Sequence, residues 1–593
     1  MHEGTPDARP IGGGQDSARE AQGTRQRPER KPQEPQQPWT PRRRVLTSLP
    51  IFIVLLGLLV TVSNLSNIPW NNEPTGQTLD SLSADTSVTF ENPAGEPLPR
   101  RGTYGVRVIE DDLTVTHAST GETERLHAVI RMPEGADGKI PGIVFMHGAG
   151  YGLARDWFID VGDDFASAGF AAIAIDKPVW STNDVTRDYP ASADAYEQAA
   201  EYLRALPNVD GDRIGIYATS ESTWISAFLL EKDPRIAFQV LVSPMVYTPR
   251  HSLGFLAAQD FALVGANPGY QSIVRRIFSA DLAAFGLTNF DLNADTPARY
   301  AVPTFVAYGS KDVMTAQVQG AEEIFERAHA VGNWDVTVRD YPVGNHVLRI
   351  GDEEEGGTKL ADHFEDDMVD WAVGKTRGLT QTGVRVAGAD IYQSIAVPQD
   401  LYGHRTLTFY MVTLHVLAVV MLLVAGILWL VALVRRLVYL KRHRRWHGPA
   451  LGFLHGFGNI LTVLFLTTLA VLYLFGSGLA QVVLEVVSLV WGAAPSSPDI
   501  VYWSWPVIQA VCTAVVWAWA RVLARLLEVA QLRGYTRMGG RELVRQTRSG
   551  ELARRMREPI IATTRFARVL FWVTAAAMFC VMLVFAFWGM FIY

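Results

Sequence analysis

The chain has 593 residues, 48% of them hydrophobic, with 53 Lys and Arg against 60 Asp and Glu and a formal net charge of −7. Two cysteines, Cys512 and Cys580, exclude a disulfide framework and any Cys/His zinc spacing. No basic stripe with interleaved aromatics occurs between the apolar runs, which argues against nucleic-acid binding. Arginine outnumbers lysine throughout, a composition compatible with a GC-rich bacterial genome.

Residues 1–44 are almost free of large apolar side chains and rich in Gly, Pro, Gln and Arg, so they are expected to be a disordered tail. The glycine run Gly12-Gly13-Gly14 lies in this tail and is no phosphate loop. Residues 45–62 are apolar, follow Arg42-Arg43-Arg44, and run into Ser63-Asn64-Leu65-Ser66-Asn67 without a small-x-small cleavage site. This reads as an uncleaved signal anchor over 45–66. Residues 80–375 have the composition of an ordinary soluble domain, 376–404 read as a linker, and 405–593 as a four-helix membrane region.

Those four further spans are expected at about 407–434, 451–475, 501–522 and 569–592, each near the roughly 20 residues needed to cross hydrocarbon. A shorter apolar segment at 479–491 reads as interfacial or re-entrant. Arg435, Arg436, Lys441, Arg442, Arg444 and Arg445 follow the second span, arginines crowd 521–568, and 477–500 hold no Lys or Arg. By the positive-inside rule the amino terminus is cytoplasmic, while residues 70–400 and the carboxyl terminus are extracytoplasmic. This makes a five-pass protein of the cell membrane. His415, Asn459, Thr467, Thr468 and Gln509 interrupt the spans and read as helix–helix hydrogen bonding or helix ends. No acidic pair lies deep in a span, so a proton relay lacks support.

Within the soluble part, apolar runs at 105–109, 126–132, 140–145, 170–175, 213–218, 237–242, 304–308 and 335–341 read as strands. Helical patterns at 157–168, 194–205, 224–231, 320–331 and 362–373 alternate with them. Short strands buried on both faces between helices predict an α/β architecture, a mostly parallel, doubly wound sheet. Residues 243–301 break the alternation and read as a helical cap over the carboxyl ends of the strands.

Four segments carry chemistry. His147-Gly148-Ala149-Gly150 follows the third strand. Arg213-Ile-Gly-Ile-Tyr-Ala-Thr-Ser220-Glu221-Ser222 is a strand ending in a small-residue turn with serine at its apex. Tyr308-Gly309-Ser310-Lys311-Asp312 and Gly344-Asn345-His346 follow the last two strands. Together, over residues 105–375, they resemble the α/β-hydrolase superfamily, nearest to its dienelactone-hydrolase and acyl-CoA-thioesterase-like branches. That resemblance implies an α/β-hydrolase fold fused to an α-helical transmembrane region. Ser220 is then the nucleophile, His346 the general base and Asp312 the orienting acid, in the chain order this fold uses. It also implies an oxyanion hole from the backbone N–H groups of Glu221 and of Gly148 or Ala149. The turn departs from Gly-x-Ser-x-Gly, because Ala218 and Ser222 occupy the glycine positions.

Ser220 or Ser222 also fits a helix N-cap, Asp312 a turn residue, His346 a loop histidine, and Asp176 a substitute acid. Asp352–Glu355 and Asp362–Asp367 lack metal-site spacing and read as solvated faces. The resemblance implies no cofactor or metal, and an ester- or acyl-containing small molecule or lipid as substrate. The sequence thus predicts a membrane-anchored serine hydrolase of esters or thioesters. Two further readings are an acyltransferase or peptidase of cell-envelope components, and a membrane transport or signalling protein with a catalytically inactive hydrolase-like domain.

Overall fold

The computed structural model describes residues 38–592 except 71–77, 151, 185, 293, 352–357, 444–450, 491–492, 498, 534–543, 546 and 551–558. Most of the expected tail and the Asp352–Glu355 run lie outside the described residues.

The chain opens with α1 (Pro41–Leu65) and a short strand β1 (Thr78–Leu79), then builds a nine-stranded sheet. Its strands are β2 (Gly105–Thr116), β3 (Thr123–Glu134), β4 (Ile140–Met146), β5 (Ala171–Ile175), β6 (Val209–Thr219), β7 (Ile236–Val242), β8 (Thr304–Gly309), β9 (Val336–Tyr341) and β10 (Val386–Gly388). A last strand, β11 (Ile391–Tyr392), pairs with β1. The sheet order is β10-β9-β8-β7-β6-β4-β5-β3-β2, and β3 alone runs antiparallel to the rest. The expected strands all form. β10 is an addition: the segment read as linker contributes a parallel strand at the β9 edge.

Helices α2 (Ile159–Ser167), α3 (Tyr189–Ala205), α4 (Ser222–Lys232), α7 (Gln317–Ala330) and α8 (Phe364–Thr376) cover both faces of the sheet. One apolar cluster lies under α3, α4 and α7, and another under α2 and α8. Between β7 and β8 the chain forms α5 (Pro249–Leu263) and α6 (Pro268–Phe278), inside the expected cap. Helix starts are legible locally. Thr40, Asp188, Thr248 and Asn267 each cap with the side chain just before a Tyr-Pro or Pro start. There proline supplies its fixed φ and needs no hydrogen-bond donor. Arg250 then ties the cap together, donating to Ala280 O at 3.1 Å, Asn289 Oδ1 at 2.8 Å and Asp291 Oδ2 at 2.8 Å.

Five helices are long and apolar enough to cross a membrane: α1, α9 (Arg405–His443), α10 (Phe457–Val490), α11 (Ile500–Leu532) and α12 (Arg565–Phe587). The expected break after 475 does not occur. α10 continues through 479–490 as one helix of about 50 Å at 1.5 Å per residue. Gly476-Ser477-Gly478 interrupts the apolar pattern without ending the helix. Gly478 instead makes room for Tyr270 of the cap, whose hydroxyl a Cβ there would strike. The polar residues of these helices mostly satisfy one another or the backbone. Trp588 Nε1 donates to His415 Nε2 at 2.8 Å, whose Nδ1 donates to Met411 O at 2.7 Å. Thr467 and Thr468 bond to carbonyls one turn back, and Gln509 reaches Ile592 O.

Candidate active site

β6 ends against β7 in register, Thr219 beside Val242, and the next residue turns sharply. Ser220 has φ +53°, left-handed backbone that a non-glycine residue occupies only under constraint. Its N–H donates to Val242 O at 3.0 Å, and its carbonyl accepts from Thr223 N–H and the Thr223 hydroxyl. Strand, strained serine and helix α4 therefore follow within three residues. The side chain is nearly buried at the carboxyl edge of the sheet.

The two glycine substitutions have distinct structural roles. Ala218 is fully buried between strands. Ser222 opens α4 and fastens the turn: its hydroxyl accepts from Thr219 N–H at 2.8 Å and lies 2.9 Å from both Met146 O and Thr219 O. A glycine there would lose these buried bonds. Ser222 serves as the brace of the turn, and Ser220 meets α4 through its backbone carbonyl.

Asp312 and His346 follow β8 and β9 on the same edge. His346 Nδ1 donates to Asp312 Oδ1 at 3.0 Å. Both Asp312 oxygens are engaged further, by Met314 N–H at 2.8 Å on Oδ1 and by the Thr315 hydroxyl on Oδ2. Burial opposes ionisation of Asp312, but the imidazole and these donors outweigh it and hold the carboxyl below its ordinary range. Asp312 is thus a fixed acceptor for Nδ1 of His346.

The loop after β4 lies against the serine turn. A Cβ on Gly148 would sit 3.2 Å from Thr219 O and 3.5 Å from Ser220 Cβ, so glycine permits this approach. Among the described residues, the backbone N–H groups of Gly148, Ala149 and Glu221 donate no hydrogen bond within the protein. The neighbouring His147 is structural. Nε2 donates to Ile175 O at 2.9 Å, and burial pushes the imidazole down to about 4, so it stays neutral. Asp176 accepts from Ala154 N–H at 2.7 Å as a turn residue, and the carboxylate on His346 Nδ1 is that of Asp312.

Two features were missed in the sequence. The first is Lys177, buried just behind the loop. It donates to Gly150 O at 3.3 Å, to Gly148 O, and to Glu221 Oε2 at 2.8 Å. Arg187 stands 3.5 Å from the same carboxylate, and Tyr189 Oη donates to it at 3.3 Å. One buried ion pair therefore ties the glycine loop to the residue after Ser220. Burial pulls the Lys177 ammonium below its ordinary range while Glu221 opposes the shift. Removing one partner of a buried pair leaves an uncompensated charge. Lys177→Met is expected to cost about 3–5 kcal/mol in denaturant unfolding and to lower kcat more than it raises KM.

The second is Asp260 on α5, wholly buried, with no hydrogen-bond partner on either carboxyl oxygen. Burial, then the charge of Asp312, push it up to about 8, against a smaller opposite pull from His346. Asp340, behind Asp312, is likewise pushed up to about 8 by burial and then Asp312. Burial and Asp312 thus favour the neutral form of both carboxyls, whereas Asp312 is favoured in its charged form. The folded chain retains the Asp260 proton up to about pH 8, while an unfolded aspartate loses it near 3.9. Stability from this group is therefore lost as pH rises from about 4 to 8. Asp260→Asn is expected to raise the thermal midpoint of the detergent-solubilised protein at pH 8 by roughly 4 °C or more and to leave it unchanged at pH 4. An equal shift at both pH values would contradict this assignment.

A single antiparallel strand in the order above, a crossover that reverses at β4, and a strained serine between β6 and α4 define the α/β-hydrolase fold. No protein-family model and no curated protein matches the chain. Among solved structures it is similar to a bacterial heroin esterase, at 17% identity over 46% of this chain and 85% of that one, with TM-score 0.33. Fungal esterases from Rhizomucor miehei match at 18% identity over 47% and 86%, also with TM-score 0.33. A Bacteroides ovatus protein assigned to dipeptidyl aminopeptidase IV matches at 16% identity with TM-score 0.32. That match covers 49% of this chain, which spans only 37% of the Bacteroides protein's length.

Proposed function

We propose that this chain is a membrane-anchored serine hydrolase that cleaves esters or thioesters through an acyl-enzyme. The observation that carries this reading is the His346–Asp312 hydrogen bond, placed on the same sheet edge as the strained Ser220 turn. Ser220 Oγ attacks the carbonyl carbon while His346 Nε2 takes its proton. The tetrahedral oxyanion is held by the N–H groups of Glu221 and of Gly148 or Ala149. Collapse breaks the bond to the leaving alcohol or thiol, which receives the proton from His346. Water, deprotonated by His346, then releases the acid and restores Ser220. Asp312 holds the imidazole tautomer and stabilises its charged form.

The arrangement of the five long helices supports the expected topology. Ser66 just past α1, Thr408 at the start of α9, Gly478 in the later half of α10, Ser504 at the start of α11 and Gly589 just past α12 all lie against the segment between β7 and β8, so successive helices alternate in direction. Arg42–Arg44, Arg435 and Arg436, Arg521 and Arg525, and Arg565 and Arg568 lie toward the far ends. With those ends cytoplasmic, the hydrolase domain is extracytoplasmic. A fluorophosphonate probe incubated with the full-length protein in detergent tests the reading: the adduct, mapped by peptide mass spectrometry, is expected on Ser220. Failure to label an active preparation would overturn it. Diversion of product from free acid to ester by added alcohols would instead favour the acyltransferase variant.

A further inference from the structure

The catalytic edge of the hydrolase domain is also the edge that meets the long apolar helices. α5 has two occupied sides. Phe261 of α5, with Val264, Tyr270 and Ile273 after it, shares one buried apolar cluster with α10, α11 and α12. Tyr270 Oη lies 2.7 Å from Ser504 Oγ, and its ring meets Trp505 edge-on at 4.9 Å. On the other side, Asp260 feels the charges of Asp312 and His346, and Gln259 donates to Val313 O at 2.8 Å. Val313, next to the catalytic acid, packs on that same apolar cluster. The Asp312 loop and the helical bundle thus meet through α5 and a shared apolar cluster.

The other attachments lie on this edge too. Arg276 Nε donates to Ser66 O at 3.1 Å, just past α1. Asp281 N–H donates to Thr408 Oγ1 at 2.7 Å, in the first turn of α9. Large apolar side chains also stand exposed in segments next to the site, Trp157 with its ring 6.4 Å from that of His147. Leu153 (50% exposed) and Trp157 (46%) follow the Gly148 loop, and Val343 (45%) precedes His346. Arg349 and Asp160, paired at 2.8 Å, join those two segments. On the cap, Phe285 is exposed and lies 5.4 Å from Phe409 of α9. Phe285 is thus an exposed apolar group at the start of α9, and Leu153, Trp157 and Val343 are exposed in the segments that carry the site, an arrangement that the headgroup layer accommodates.

We infer that the catalytic face of the hydrolase domain lies in the headgroup layer and that its substrate is an ester-linked lipid resident in the membrane. This rests on the serine-hydrolase reading. The lipid enters sideways beneath the cap, and its acyl chain stays in hydrocarbon until the ester reaches Ser220. The bond from Ser220 Oγ to the acyl carbon forms, the ester C–O bond breaks, and the lipid alcohol leaves with the proton carried by His346. Lateral entry avoids drawing each methylene of the chain through water.

The test uses the full chain in phosphatidylcholine nanodiscs. Rates are compared for a fluorogenic long-chain ester lipid embedded in the disc and for soluble p-nitrophenyl butyrate. Wild type is expected to cleave both. The double variant Leu153→Ser/Trp157→Ser is expected to lose about tenfold in kcat/KM on the embedded lipid and stay within about twofold on the soluble ester. Quenching of tryptophan fluorescence by brominated lipids is expected to fall in Trp157→Phe. Cleavage of the soluble ester without the embedded lipid overturns the inference and leaves the hydrolase reading standing. So does an equal loss on both substrates, or unchanged quenching in Trp157→Phe. Absence of cleavage of either substrate, together with absence of fluorophosphonate labelling, overturns the hydrolase reading and this inference with it.

Discussion

Ser220→Ala is expected to abolish fluorophosphonate labelling and to lower ester turnover by roughly 10⁴-fold or more. The change removes one oxygen, and with it the only covalent route through the site. His346 and Asp312 remain hydrogen-bonded in the variant, and the backbone N–H groups of Gly148, Ala149 and Glu221 remain in place, so on the proposed mechanism residual activity reflects oxyanion stabilisation and binding alone. KM should change little, because Ser220 makes its decisive bond in the transition state. Folding should survive: the turn is held by the backbone bond to Val242 O and by the Ser222 brace, neither of which uses the Ser220 hydroxyl. Labelling of another serine in Ser220→Ala, or turnover within about tenfold of wild type, would remove Ser220 from the mechanism.

Asp312→Asn is expected to lower kcat by about 10⁴-fold with the fold intact. An amide in this place can present an N–H to Nδ1, which then accepts, and the proton moves to Nε2. On the proposed mechanism Nε2 then becomes a donor and cannot take the Ser220 proton. The effect should be in kcat, at every pH where wild type is active. Asp312 also contributes to acid stability. Its carboxyl is held below the ordinary range, so its stabilisation is present above the unfolded pKa near 3.9 and is lost as pH falls through the folded value. Asp312→Asn should therefore flatten the acid limb of a thermal-unfolding profile as well as silence turnover. Retention of kcat in this variant would contradict the pairing with His346.

The sequence carried the strands and long helices because their signals are local. The run Phe170-Ala-Ala-Ile-Ala-Ile175 can bury both faces only as an inner strand, and β5 occupies it. Helix ends were less legible. α3 begins at Tyr189, five residues before the apolar pattern suggested, because Asp188 accepts from Ala191 N–H and Tyr189-Pro190 starts the helix regardless of hydropathy. α10 was split by its glycines in the sequence reading, since close packing against Tyr270 lies more than 200 residues away in the chain. Among site residues, Ser220, Asp312 and His346 were legible as small-residue turns after strands. Lys177, Glu221 as an ion partner, and Asp260 were not. Each stands in an ordinary local context, and its meaning depends on which distant backbone it meets.

By itself, then, the sequence determined the order of elements, the five long apolar helices and the strand-end turns that carry Ser220, Asp312 and His346. Backbone preference and the burial of apolar side chains act over a few residues, and those residues are written consecutively. Only the tertiary structure decided that Ser222 braces the turn and that Lys177 couples the glycine loop to it. It also decided that burial and Asp312 push the Asp260 and Asp340 carboxyls up, and that the segment between β7 and β8 packs on the long apolar helices. Those outcomes depend on charges and hydroxyls brought together from distant parts of the chain. Their desolvation costs and hydrogen bonds come into being only when the sheet, cap and bundle close around them.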